Sequence, residues 1–97
     1  MKKVKIIWSK QAQLAVKSIF DYYKLRSPQS AKKLKNELLQ SPKKIQFAKQ
    51  YQVDEINPKY RRIVVRDYKV LFQEKNQVIQ ILDVISTRQS PNILRSK

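Results

Sequence analysis

The chain of 97 residues contains no cysteine, no histidine and no glycine. Without cysteine there is no disulfide and no thiolate chemistry. Without either cysteine or histidine, the usual zinc sites and any histidine-activated nucleophile are excluded. Without glycine, the Gly-rich loops that cradle phosphates in nucleotide-binding folds cannot form. Acids are also scarce: seven, scattered along the chain, a poor basis for an all-carboxylate metal cage. No metal or other cofactor is therefore expected. Apolar runs are far shorter than the ~20 residues of a membrane span. The opening MKKVKIIWSK has only Ile6, Ile7 and Trp8 as an apolar run, too short for a secretory signal. A mature cytoplasmic protein is expected, with no membrane partner.

What is present is positive charge. Twenty-two Lys and Arg against seven Asp and Glu give +15. A field of that size attracts polyanions and speeds encounters with them. Nucleic acid, a ribonucleoprotein or an acidic protein are the candidate partners. The apolar fraction, 41%, is enough for a packed domain rather than a disordered one. At this length the expectation is one α+β domain over residues 1–97, with a thin two-layer core.

Val4 to Trp8 reads as an opening strand, and Ser9 as the N-cap of a helix. Ala12, Val16, Ile19, Phe20 and Tyr23 then form an amphipathic stripe that ends near Leu25 or Arg26. Ser27-Pro28 signals a second helix, with Ala31, Leu34 and Leu38 on one face. Its lysines fit a solvated face, and Ser41-Pro42 should end or bend it. So short a connection predicts an antiparallel helical hairpin, whose stripe must be buried on a sheet. Tyr51 to Ile56 reads as a short strand and Asn57-Pro58 as a turn. Three strands follow, Arg61–Arg66, Tyr68–Glu74 and Gln77–Ile85, joined by breaks short enough for antiparallel hairpins. With no glycine, Asp67 and Asn76 are the expected left-handed turn residues. The last strand is apolar at consecutive positions and should be central and covered on both faces.

The basic chemistry concentrates between Tyr60 and Pro91, where Arg61, Arg62, Arg66, Lys69 and Arg88 alternate with aliphatic residues. This stretch is the expected contact surface. Arg61 and Arg62, being adjacent on a strand, point to opposite faces. One of them must then lie on or beside the helix-covered side and find a partner such as Asp54, Glu55 or Asp83.

In order, length and charge the chain resembles the RelE/ParE superfamily of toxins from bacterial toxin–antitoxin pairs. The resemblance rests on WSKQAQLAVKSIFDYY, SAKKLKNELLQ, YRRIVVRDYKVLFQ and ILDVISTRQSP, the last resembling a ParE-like ending. It implies a strand, a helical hairpin and then a three- to four-stranded antiparallel sheet. It also implies an acidic antitoxin as partner, folding an otherwise disordered end onto the toxin. ParE-like members of the superfamily inhibit DNA gyrase. RelE-like members cleave mRNA on the ribosome without metal, using basic residues that stabilise charge on the reacting phosphate.

Carried over by position, Arg62 matches a basic residue of the first meander strand. Lys69 stands where a RelE-like arginine is expected and lacks its bidentate fork. Arg88 matches the arginine after the last strand. A further lysine of the RelE-like set falls near Val64 and is missing. No aromatic follows Phe72, although Tyr60 or Tyr68 could supply one from elsewhere. The incomplete set favours gyrase inhibition over the ribonuclease. Arg61, Arg66 and Arg95 are candidate contacts to the target or to nucleic acid.

Overall fold

The computed structural model describes residues 5–46 and 48–87. Strand β1 (Lys5–Trp8) leads into helix α1 (Lys10–Lys24) and helix α2 (Pro28–Gln40). A 3-10 turn (Ser41–Lys44) extends α2, another spans Ala48–Gln50, and strands β2 (Arg61–Val65), β3 (Tyr68–Lys75) and β4 (Val78–Ser86) complete the fold.

The helix limits are set by the residues expected to set them. Ser9 Oγ accepts from the Ala12 amide at 3.0 Å, and Ser27 Oγ from the Ser30 amide at 3.3 Å. Each supplies a partner to a donor that the first helical turn leaves open. Ser41 does end α2, but Pro42 at the start of the 3-10 turn carries the chain round rather than away. Ile45, at the end of that turn, is buried in the core.

The sheet has the order β1-β4-β3-β2. Strands β2, β3 and β4 form the antiparallel meander. The opening strand joins it on the far side of β4 in parallel, Lys5 opposite Val78 and Trp8 opposite Ile81. The sheet is therefore mixed, and the parallel pair is bridged by the whole intervening chain. Ile63, Val70, Phe72, Ile79, Ile81 and Val84 meet Ala12, Val16, Leu34 and Leu38 in one core between the helical layer and the sheet. Trp8 packs against the edge of that core.

A register shift lies between Leu71 and Phe72, which pair with Asp83 and Ile81 and leave Leu82 as an extra residue in β4. Such a bulge re-aims the strand, so Ile79, Ile81 and Val84 all reach the core. Ser9 fastens to the same place: its amide donates to Ile81 O at 2.9 Å and its hydroxyl to Leu82 O at 3.0 Å. One serine thus joins the end of β1, the start of α1 and the bulge.

Three local expectations are corrected. Residues 51–56 form no strand; one bridge, Val53 to Arg61, ties them to β2. Strand β4 is central but buried on the helical face only, with Val78, Gln80, Leu82 and Ile85 half-buried on the other. Its even apolar pattern reflects partial cover by the 51–60 loop rather than a second layer. Positive φ falls on Arg66, not Asp67, and on both Asn76 and Gln77, the backbone of a type I′ hairpin.

Candidate functional site

Strand β2 separates the two adjacent arginines as its period of two requires. Arg61 stands opposite Phe72, on the helical side. Its guanidinium Nη1 donates to the carbonyl of Tyr51 at 2.7 Å, so a main-chain oxygen, rather than an acid, satisfies it. Arg62 lies on the opposite face, where Nη1 donates to Val53 O at 2.8 Å and Nη2 to Gln52 Oε1 at 3.2 Å. The same guanidinium is 4.0 Å from Asp54 Oδ1. The two side chains grip the start of the 51–60 loop from both faces of the sheet.

Lys69, opposite Val64 on β3, is buried on the face away from the helices. Its ammonium donates to Asp54 Oδ1 at 2.6 Å. Asp54 is itself almost wholly buried, 1% exposed. Its Oδ2 accepts from the amides of Asn57 at 2.9 Å and Ile56 at 3.2 Å and from Asn57 Nδ2 at 3.3 Å. Burial alone would raise the Asp54 carboxyl, but the Lys69 ammonium and the Asn57 amide together outweigh it and hold the group below the usual range. Val64, at the position of the missing superfamily lysine, is an exposed aliphatic residue at 59%.

Arg66 sits in the β2–β3 turn with φ 55°. It makes a two-pronged ion pair across the layers to Glu37 of α2, Nε to Oε1 and Nη2 to Oε2, the latter at 2.9 Å. These bonds hold the Glu37 carboxyl below its ordinary value. Tyr68 donates its hydroxyl to that of Tyr23 at 3.2 Å, and burial followed by this bond pushes its pKa up. Tyr60 lines an open groove of ≈ 570 Å³ on the far face with Asn57, Leu71, Leu82 and Ile85.

Of the singled-out residues that lie among the described ones, only Arg62 and Lys69 come together, and what joins them is Asp54. Arg61 is separated from them by the sheet, and Arg66 is turned to the helices. Arg88 and Arg95 lie outside the described residues. Glu37 and Tyr23 escaped sequence reasoning, since their partners are 29 and 45 residues away. Asp54 carried a usable local sign: an aspartate three residues before Asn57-Pro58 is placed to accept from turn amides.

A second groove, ≈ 580 Å³, runs between α2 and the outer edge of the sheet and is lined by Asn36, Gln40, Ser41, Lys44, Tyr51 and residues 63–65. Among the described residues strand β2 is the outermost strand on this side. Beyond its single bridge to Val53 it presents main-chain groups that an added strand could use.

A basic α+β domain with a helical hairpin laid on one face of a mixed four-stranded sheet is the class these features define. The same fold, with a TM-score of 0.76, is found in a solved structure described as the chromosomal ParDE TA system from P. aeruginosa. The two chains are 23% identical, and the match covers 87% of this chain and 96% of the other. No curated protein sequence matches this chain. The family is shown by a model of the ParE toxin of type II toxin-antitoxin systems, parDE, which matches residues 6–91. The chain belongs to the ParE toxin family.

Proposed function

We propose that this chain is a gyrase-inhibiting toxin, acting in the cytoplasm and neutralised by an acidic antitoxin. Membership of the ParE family over residues 6–91 is the observation that carries the reading. The basic residues support it from another direction. Arg61, Arg62 and Lys69 are spent on the 51–60 loop, and Arg66 on Glu37. An inhibitor that works by binding needs no convergent cationic set, whereas phosphoryl chemistry on RNA does.

The groove between α2 and the β2 edge fits the antitoxin. Ile63, Val64, Val65 and Tyr51 supply apolar anchor points, Lys44 a cation, and the stretch of β2 beyond the Arg62–Gln52 bond the outward main-chain groups of Val64. A disordered acidic segment folding there would gain from all three. Its affinity should fall with salt but persist, because apolar burial is only weakly screened.

The test is supercoiling of relaxed plasmid by purified gyrase with and without this chain, run beside a translation extract. Blocked supercoiling with intact transcripts is the expected pair of results. Transcripts cleaved by the chain but not by Arg62→Ala, with supercoiling untouched, would replace the reading with the ribonuclease. Growth arrest relieved by co-expressing a small acidic protein encoded next to this chain would establish the antitoxin.

A further inference from the structure

The excess positive charge of the described residues lies on the helical layer rather than on the strands. Between residues 10 and 44, nine lysines and arginines stand against two acids, and all nine are exposed. Both acids are engaged, Asp21 by Lys17 and Lys24, and Glu37 by Arg66 from the sheet. Between residues 51 and 87, six cations meet five acids. The sheet half is close to neutral and the hairpin is strongly basic.

The hairpin also brings like charges together. Lys24 of α1 and Lys35 of α2 place their ammonium groups 5.7 and 5.0 Å from the centre of the same Phe20 ring. The ring attracts both; Lys24 is also paired with Asp21, while Lys35 forms no ion pair among the described residues. Lys32 is exposed in the next turn back along α2 and forms no ion pair among the described residues, whereas Lys33 turns aside to a groove shared with Arg66, Asp67 and Tyr68.

We propose that the outer face of the α1–α2 hairpin, centred on Lys24, Lys32 and Lys35, binds the phosphate backbone of duplex DNA. Eight of the nine cations are lysines, point charges suited to phosphates rather than forks suited to base edges. Single-stranded nucleic acid calls for open aromatic platforms. Here Phe20 is occupied by the two ammonium groups, and Arg26 lies 5.1 Å from the centre of the Tyr22 ring. An acidic protein segment has a better seat in the groove beside β2, which only Lys44 of the nine lines. The choice of DNA over RNA rests on the gyrase reading, since duplex DNA is what gyrase holds. A toxin gripping both would engage the enzyme together with its substrate.

The experiment is fluorescence anisotropy of a labelled random-sequence DNA duplex of about 20 bp, titrated with the full chain over a salt series without gyrase. Binding should weaken linearly in log–log form as salt rises. The folded Lys24→Gln/Lys32→Gln/Lys35→Gln variant should lose roughly 0.9 from the slope per phosphate contact, about 3 in all, and at least about tenfold in low-salt affinity. Lys59→Gln/Lys75→Gln, on the sheet half, should change the slope by less than half as much. Four results would each overturn the proposal: no binding at about 50 mM salt, a slope the hairpin variant leaves unchanged, equal or tighter binding to an RNA duplex of the same sequence, or displacement of DNA by polyglutamate at equal charge. Because gyrase is absent, failure here leaves the supercoiling result standing, and the converse holds too.

Discussion

Arg61, Arg62 and Lys69 of the sheet are drawn inward onto acceptors of the 51–60 loop, while the lysines of α1 and α2 point into solvent. Both regions are built from the same side-chain types. The difference lies in what the chain offers nearby. The sheet half carries five of the seven acids and a loop with free carbonyls, so its cations become fastenings. The hairpin carries two acids, and a helix satisfies its own interior carbonyls, so beyond Lys17 and Lys24, which share Asp21, its cations stay available. Whether a basic residue becomes a fastening or stays exposed thus depends on the acceptors its surroundings offer, not on its side-chain type.

The comparison would break most visibly at Lys69. Lys69→Ala leaves the buried Asp54 carboxylate without its cation and should cost about 3–5 kcal/mol in urea or thermal unfolding. A loss under about 1 kcal/mol would mean that this cation is not structural.

Acid gives the next largest effect. Asp54 has a folded pKa below its unfolded value near 3.8. Its contribution is therefore complete above that value and is lost as pH falls through the lower, folded one. Stability of the natural chain should drop steeply below about pH 4. Asp21 and Glu37 are shifted in the same direction, so the diagnostic is a difference. An Asp54→Asn/Lys69→Met variant, which lacks the buried pair, should lose less of its stability over that interval. Parallel pH curves for the two proteins would show that Asp54 contributes nothing to the acid limb.

The smallest effect should be on the hairpin. Lys32→Gln, Lys33→Gln and Lys35→Gln, made singly, should each change unfolding free energy by less than about 0.5 kcal/mol. A loss above about 1 kcal/mol would mean that these lysines, too, are fastenings.

Local physics made much of the fold legible. Ser9, Ser27-Pro28 and Ser41-Pro42 marked helix ends because caps and proline act on their immediate neighbours. The meander strands fell within a residue or two of their limits because alternation and short turns are local signals. Asn76 was readable as a left-handed residue, but Arg66 was not, since its partner Glu37 comes from another layer. The parallel seat of β1, the bulge at Leu82 and the strap at 51–60 all depend on residues far apart in sequence. For the basic residues, period two placed Arg61 and Arg62 on opposite faces without saying which face would be covered. It could not reveal that both would be spent on the same loop. The hairpin lysines looked like an ordinary solvated surface; the nine cations against two acids of residues 10–44 can be counted in the sequence, but which of them stay unpaired cannot.

The parallel pairing of β1 with β4 has a consequence for synthesis. Residues 5–8 are the first described residues to leave the ribosome, yet their neighbours in the sheet are residues 78–81. Until those emerge, α1 and α2 have no floor beneath their apolar stripe, and Ser9 has no Ile81 or Leu82 to fasten to. Until then a nascent chain is an exposed, unfinished hairpin, open to chaperones. The complete sheet can form only once residues 78–81 are free to pair with β1, which sets a defined interval in which a partner already present could meet the unfinished hairpin.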